Sequence, residues 1–281
     1  MPPSLYAGHC ATLVTRHAKE RVLAPVLRHA ADLHLEVCHG IDTDRLGTFT
    51  RDVPRVGSQR DAAREKARLG VEHAGTSLGL GSEGSFVPGP LGLSSWNVEI
   101  VLLLDLERGI EIVGRAQGPG LHIHGLAGDR DALSALASAA RFPEHALVLR
   151  PDGPAGAEPV KGLADWEALL ATFERLRQKA VTGLVFVESD LRAHCHPTRM
   201  QMIERAGHDL AERLITRCPS CGSPGFGHSE VVRGLPCADC GTPTDMASGD
   251  RHACVGCAYT EDRARLGATV GDPARCPVCN P

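Results

Sequence analysis

Short apolar runs alternate with amphipathic stretches along the first 217 residues, and that alternation predicts strands and helices in turn. Residues 10–15 form an apolar run of strand length. Residues 19–31 carry Val22, Leu23, Val26, Leu27 and Ala30 at helical spacing, with Pro25 forcing a kink or a late start. A second strand falls at 35–38. Ser58-Gln-Arg-Asp61 reads as a capping-box start, and the helix after it is rich in small residues (Ala62, Ala63, Ala67, Gly70, Ala74) that permit close backbone approach. Residues 98–104 and 110–114 predict a hairpin across Glu107-Arg-Gly109, which makes the sheet mixed. A helix at 130–141 stops at Pro143, and a strand at 146–149 and a loop at 151–159 follow. The next helix, 165–180, turns Trp166, Leu169, Leu170, Phe173 and Leu176 inward, ahead of a strand at 183–187. Pro197 suits the first turn of a long helix with Met200, Ile203, Leu210 and Leu214 on one face. The pattern predicts an α/β fold over residues 1–216, a mixed central sheet flanked by helices with a lobe boundary near 150–160. A small module at 217–281 follows, with no apolar core of its own.

That module is defined by cysteine. Eight of the eleven cysteines form four Cys-x-x-Cys pairs: Cys218/Cys221, Cys237/Cys240, Cys254/Cys257 and Cys276/Cys279. Two thiolates three residues apart on a tight turn chelate one ion, and a second such turn completes a tetrahedral site. Four knuckles predict two zinc ions in closed, structural sites of a zinc ribbon. The intervals of 15, 13 and 18 residues suit short hairpins. Sequential pairing, first knuckle with second and third with fourth, is the favoured arrangement. A nested one, second with third and first with fourth, is the alternative. Cys10, Cys38 and Cys195 read as buried small apolar residues rather than nucleophiles.

Charge narrows the field further. The net charge of −4 supplies no global basic field for nucleic acid. The first 20 residues lack a basic segment followed by a long apolar one, and the apolar run at 98–104 is too short to span a bilayer. The expectation is a soluble cytoplasmic protein with no membrane partner. The chain has 26 Arg but only four Lys, at 19, 66, 161 and 179, so the lysines mark positions where a compact point charge is preferred.

Four clusters fall where strands end, the usual place for sites in α/β sheets. Thr15-Arg-His-Ala-Lys-Glu20 opens a helix and offers a hydroxyl, an ammonium and N-terminal amides to phosphate. Asp42 and Asp44, at alternate positions, can face one magnesium ion. Glu83 stands among small residues in Leu78-Gly-Leu-Gly-Ser-Glu-Gly-Ser-Phe86, read as a turn with room for a ligand beside the acid. Glu188, Asp190, Arg192, His194, His196 and Arg199 crowd together after the strand at 183–187; an Asp190–Arg192 ion pair fixing that loop is the structural alternative. Lys161 is a lesser anion contact, and His122 and His124 read as surface or core histidines.

The order of these pieces resembles an uncharacterised bacterial family known only as a domain of unknown function. The matching segments are TRHAKE (15–20), DTDRLGTF (42–49), SEGSF (82–86), ESDLRAH (188–194), PTR (197–199) and the knuckles. The N-terminal third is also distantly similar to the inosine/xanthosine triphosphate pyrophosphatases and their Maf-like relatives. Thr15 and Lys19, Gly47-Thr48-Phe49, Ala63 to Ala67 around Lys66, and Ser82-Glu83-Gly84 carry that likeness, in the same order. Here the turn from Thr15 to Lys19 is one residue shorter, and no late Ser-His-Arg motif is present. The resemblance implies a magnesium-dependent nucleotide pyrophosphohydrolase. In it Thr15 and Lys19 hold phosphate, Glu83 with Asp42 or Asp44 holds magnesium, and Lys66 neutralises the leaving phosphate. Asp190, Arg192, Arg199 and Lys161 assist from the facing side. The alternative is a non-catalytic module whose ribbon docks nucleic acid or a protein.

Overall fold

The computed structural model describes residues 4–39, 57–89, 92, 94–156 and 159–281. Asp42, Asp44 and Gly47-Thr48-Phe49 lie outside them. The first sheet has the order β2-β1-β3-β4-β5, with β1 Cys10–Val14, β2 His34–Cys38, β3 Leu78–Pro88, β4 Ser95–Asp105 and β5 Ile110–Pro119. β1 pairs in parallel with β2 and β3, whereas β3, β4 and β5 form an antiparallel meander, so the sheet is mixed as the 98–114 hairpin requires. Two helices join the parallel strands: α1 Glu20–Ala31, which runs on through Pro25, and α2 Gln59–Ala74. Both halves of the capping box at Ser58 and Asp61 form.

The two helices take opposite faces. Leu23, Val26 and Leu27 of α1 pack with Leu78 and Leu80 of β3 and with Ile203, Leu210 and Leu214 of α5 Pro197–Ile215. Helix α2 lies on the other face against Ile100 and Leu102. Its small-residue stripe meets a matching stripe on β3: a Cβ added at Gly79 or Gly81 would fall into the carbonyls of Ala67 and Ala63. Gly79 and Gly81 therefore serve helix packing, and the stretch expected as a turn is the interior of an eleven-residue strand. Gly81→Ala should push α2 off the sheet and lower stability by about 3 kcal/mol, at the upper end of overpacking effects, readable in a denaturant melt.

A second, four-stranded antiparallel sheet is inserted between β5 and α5. Its order is β6-β9-β7-β8, with β6 His124–Ala127, β7 Leu147–Pro151, β8 Val160–Leu163 and β9 Val185–Ser189. Helices α3 Arg130–Ala139 and α4 Trp166–Lys179 cover one face, their core built on Leu133, Leu169, Phe173 and Leu176 against Leu147, Leu149 and Val187. Trp166, expected inward, is partly exposed and packs edge-on against Phe142. The stretch near 150–160, expected to separate two lobes, joins β7 to β8 within this one sheet.

The C-terminal residues form a three-stranded antiparallel meander, β10 Gly227–Arg233, β11 Ala247–Ala253 and β12 Thr260–Ala264. It is anchored to α5: Gly225 donates its amide to the Arg213 carbonyl at 2.9 Å, and Arg213 donates to the His228 carbonyl at 2.9 Å. Among the described residues no helix is long and apolar enough to cross a membrane.

Two metal centres and a candidate ligand crevice

The four knuckles assemble into two four-cysteine groups, and the pairing is neither sequential nor nested. Cys218 and Cys221 join Cys254 and Cys257, while Cys237 and Cys240 join Cys276 and Cys279. The meander explains it. Register pairs Gly227 with Ala253 and Ala253 with Thr260, so the first and third knuckles sit at one end of the sheet. The turn from β10 to β11 and the segment after β12 lie at the other end, which unites the second and fourth. Alternate turns of an antiparallel meander meet, and adjacent ones cannot.

Each group fits a tetrahedral ion. Zn–S bonds of about 2.3 Å set sulfurs about 3.8 Å apart. The Sγ atoms of Cys218 and Cys257 are 3.8 Å apart, those of Cys221 and Cys254 3.6 Å, those of Cys237 and Cys279 3.8 Å and those of Cys240 and Cys276 3.5 Å. Disulfides would need about 2.05 Å, and all eleven cysteines are free thiols. Backbone amides of Gly256 and Val278 point at Cys254 and Cys276, the arrangement that stabilises a thiolate. Of the other cysteines Cys38 is buried and Cys195 partly so, but Cys10 is exposed, against expectation.

The α/β body holds a second cluster where β1 ends. The β1–β3 ladder pairs Thr12 with Gly79 and Leu13 with Leu80, leaving the β3 backbone beyond it open on that side. Because α1 departs to one face and α2 to the other, this is a topological switch point, where open α/β sheets form ligand crevices. Lys19 occupies the N-cap position of α1 here, buried, and donates to the carbonyl and hydroxyl of Ser82 at 2.9 and 3.1 Å. It has no carboxylate within ion-pair distance among the described residues. Burial first, then the nearby Arg199 and Lys66, push its ammonium down to about 7. Thr15 accepts from the His17 amide, and Ala18 takes a left-handed φ of 55°, a conformation costing a side-chain-bearing residue about 1–2 kcal/mol.

Around Lys19 the expected acids are already engaged. Glu83 projects to the α2 face, opposite to Ser82, and its carboxylate is 2.5 Å from the Lys66 ammonium. Gln59 ties the Glu83 carbonyl to that of Val98. Glu83 and Lys66 do reach Lys19 electrostatically, yet Glu83 stands as an ion-pair partner and not as an open metal carboxylate. Arg199, expected to contact substrate, is almost fully buried and bound to Glu99 at 2.6 Å, with a further bond to the Leu191 carbonyl. The Glu99 carboxylate occupies the space a Gly84 side chain would need.

Asp190 and Arg192 form the ion pair anticipated as the structural alternative, 2.6 Å at the closest contact. Burial pushes the Asp190 carboxyl up, but bonds and charge from Arg192 outweigh it and hold it low. Asp190 also accepts from the Gly162 amide, which places Lys161 of β8 beside this turn. Glu188 pairs with Arg150 at 3.3 Å, both buried. His196 caps α5 through the Arg199 amide and reaches the Leu121 carbonyl at 2.8 Å, a structural role. His122 and His124 contact each other and, respectively, Phe86 and Phe186. Sequence reasoning missed Glu99 and Arg150, single charges inside strands that read as core; an acid or guanidinium at an inward strand position is the signal that marks them.

Fold and sites thus define a class: a mixed α/β protein with an inserted antiparallel unit and two interleaved four-cysteine groups with the geometry to hold metal. The chain belongs to the DUF6671 family, described as a domain of unknown function, which matches residues 66–281. No curated protein and no solved structure matches it.

Proposed function

We propose that this is a two-zinc protein whose α/β body binds a phosphorylated small molecule at the switch-point crevice, with Lys19 as the principal phosphate contact. The observation that carries the reading is the enclosed Lys19 ammonium, held among the described residues by Ser82 oxygens while the neighbouring Arg192, Arg199 and Lys66 each have a carboxylate. A buried cation without a counter-ion is costly, and an anion at the start of α1 would offset that cost. Thr15, Arg192 and Lys161 line the approach. Cleavage of a nucleotide phosphoanhydride with magnesium is the finer form of this reading, and it requires the Lys66–Glu83 pair to open. The geometry favours phosphate binding by cations over a resident magnesium carboxylate.

The ribbon reads as structural. Residues 217–281 carry six Arg, no Lys and seven acids, and each zinc with four thiolates adds a charge of about −2. Four of its six arginines are matched to acids, Arg251 to Glu230 and Asp262, Arg263 to Glu261, Arg265 to Asp250 and Arg275 to Asp245. That balance argues against docking on nucleic acid.

Calorimetric titration with inorganic pyrophosphate and nucleoside triphosphates tests the reading. Lys19→Met, checked for zinc content and secondary structure, should weaken binding at least about tenfold, the loss of one charge-assisted contact. Equal affinity in wild type and variant, or none in either, sinks it. Pyrophosphate release with magnesium present that disappears in Glu83→Gln would extend the reading to hydrolysis.

A further inference from the structure

The turn after β1 and the turn after β9 belong to different sheets, yet they meet ring to ring. The imidazoles of His17 and His194 stack with centroids 5.0 Å apart and planes 21° from parallel. Each stands two residues from a cation of its own turn, Lys19 and Arg192. The charged groups facing the pair come from every neighbouring element: Lys19 from the first turn, Arg21 from α1, Asp190 and Arg192 from the second turn, and Arg199 from α5. The acids there are consumed, Asp190 by Arg192 and Glu99 by Arg199. An excess of positive charge remains around two rings in contact. Burial and these cations push both imidazoles down, His17 to about 3, so the free protein holds them neutral. A neutral imidazole offers one N–H; an imidazolium offers two. An incoming dianion reverses the field at the rings and favours the charged form.

Resting on the phosphoryl-binding reading above, we infer that His17 and His194 form one contact through which both sheets hold the same terminal phosphoryl group, one ring taking up a proton as it binds. The ligand class narrows accordingly to compounds with a terminal, dianionic phosphoryl, a phosphomonoester or the end of a pyrophosphate chain. Phosphodiesters carry one charge and no free end, and are excluded. The proton comes from solvent, and no bond in the ligand breaks.

Proton NMR of the imidazole C2–H signals in the full zinc-loaded chain tests this, with pH titrations run in the absence and presence of saturating inorganic pyrophosphate. In the free protein His17 should show no titration above pH 6 and His194 should titrate below the ordinary imidazole range, and one of them should move up by at least one pH unit when pyrophosphate is bound. His194→Phe keeps a ring on the stack and removes the nitrogens; it should abolish the shift at His17 and weaken affinity several-fold. Lys19 can also take up a proton, so the ring signals decide and not the total proton count. Pyrophosphate bound with both ring titrations unchanged, or His194→Phe binding with wild-type affinity, overturns the inference while leaving phosphoryl binding intact. No pyrophosphate binding in the wild type overturns both.

Discussion

Removing zinc with a strong chelator is expected to unfold residues 217–281 as one unit, not as two successive halves. The reason is the interleaving. The knuckle of Cys254 and Cys257 serves the first site but lies in the chain between the two knuckles of the second, and Cys237 and Cys240 lie between those of the first. Loss of either ion frees the ends of the same three strands. The module has little apolar core to compensate, since Val231, Val255, Val270 and Val278 are exposed and Phe226 is its largest buried side chain. Structural zinc contributes on the order of 10–16 kcal/mol of apparent folding free energy, far more than three short strands supply. Metal analysis should find about two zinc per chain, the count of closed four-cysteine sites. Cys237→Ser, which touches only the second site directly, should release both ions together in a chelator titration and raise proteolysis of the C-terminal residues. Stepwise release of one ion with the first site intact would refute the coupling.

The second large effect is expected at Glu99. Its carboxylate is fully buried and accepts from Arg199 at 2.6 Å and from Asn97 at 3.0 Å. Glu99→Gln leaves a buried guanidinium without its counter-charge, which costs about 3–5 kcal/mol and should lower the melting temperature on the order of 10 °C. Glu99→Leu combined with Arg199→Met should recover much of that loss, because a buried ion pair adds little net stability over apolar residues of similar size. Arg199 also holds the Leu191 carbonyl, so the double variant, which removes that bond, should loosen the turn carrying Arg192 and His194 and weaken phosphoryl binding even where its stability is recovered. A melt of Glu99→Gln within about 1 kcal/mol of wild type would show that the pair is not closed.

Much of this architecture is legible in the chain. Helical spacing placed α1, α4 and α5 because each buries one face, a capping box and small residues marked α2, and the hairpin across Glu107 to Gly109 was visible as two apolar runs flanking a turn. The cysteine ligands could be named outright, since a thiolate pair on a tight turn has few other uses in this pattern. Lys19 and Lys66 were marked by the scarcity of lysine; Lys19 is buried against Ser82 and Lys66 holds Glu83.

Other features depended on what lies across from a residue. Glu83 looked like an acid given room, whereas Gly79 and Gly81 admit the backbone of α2, Gly84 admits the Glu99 carboxylate, and the Glu83 carboxylate is held by Lys66. Composition is the same in a turn and in a strand packed under a small-residue helix; only the partner element distinguishes them. Knuckle pairing likewise follows strand register, which places alternate turns at the same end of a meander and is set by hydrogen bonds between distant segments. Local spacing and chemistry are enough to say which cysteines can ligate metal and where most elements run. The tertiary structure alone decided which cysteines share an ion, which charges are spent on one another, and that Lys19 is enclosed with no carboxylate at ion-pair distance among the described residues.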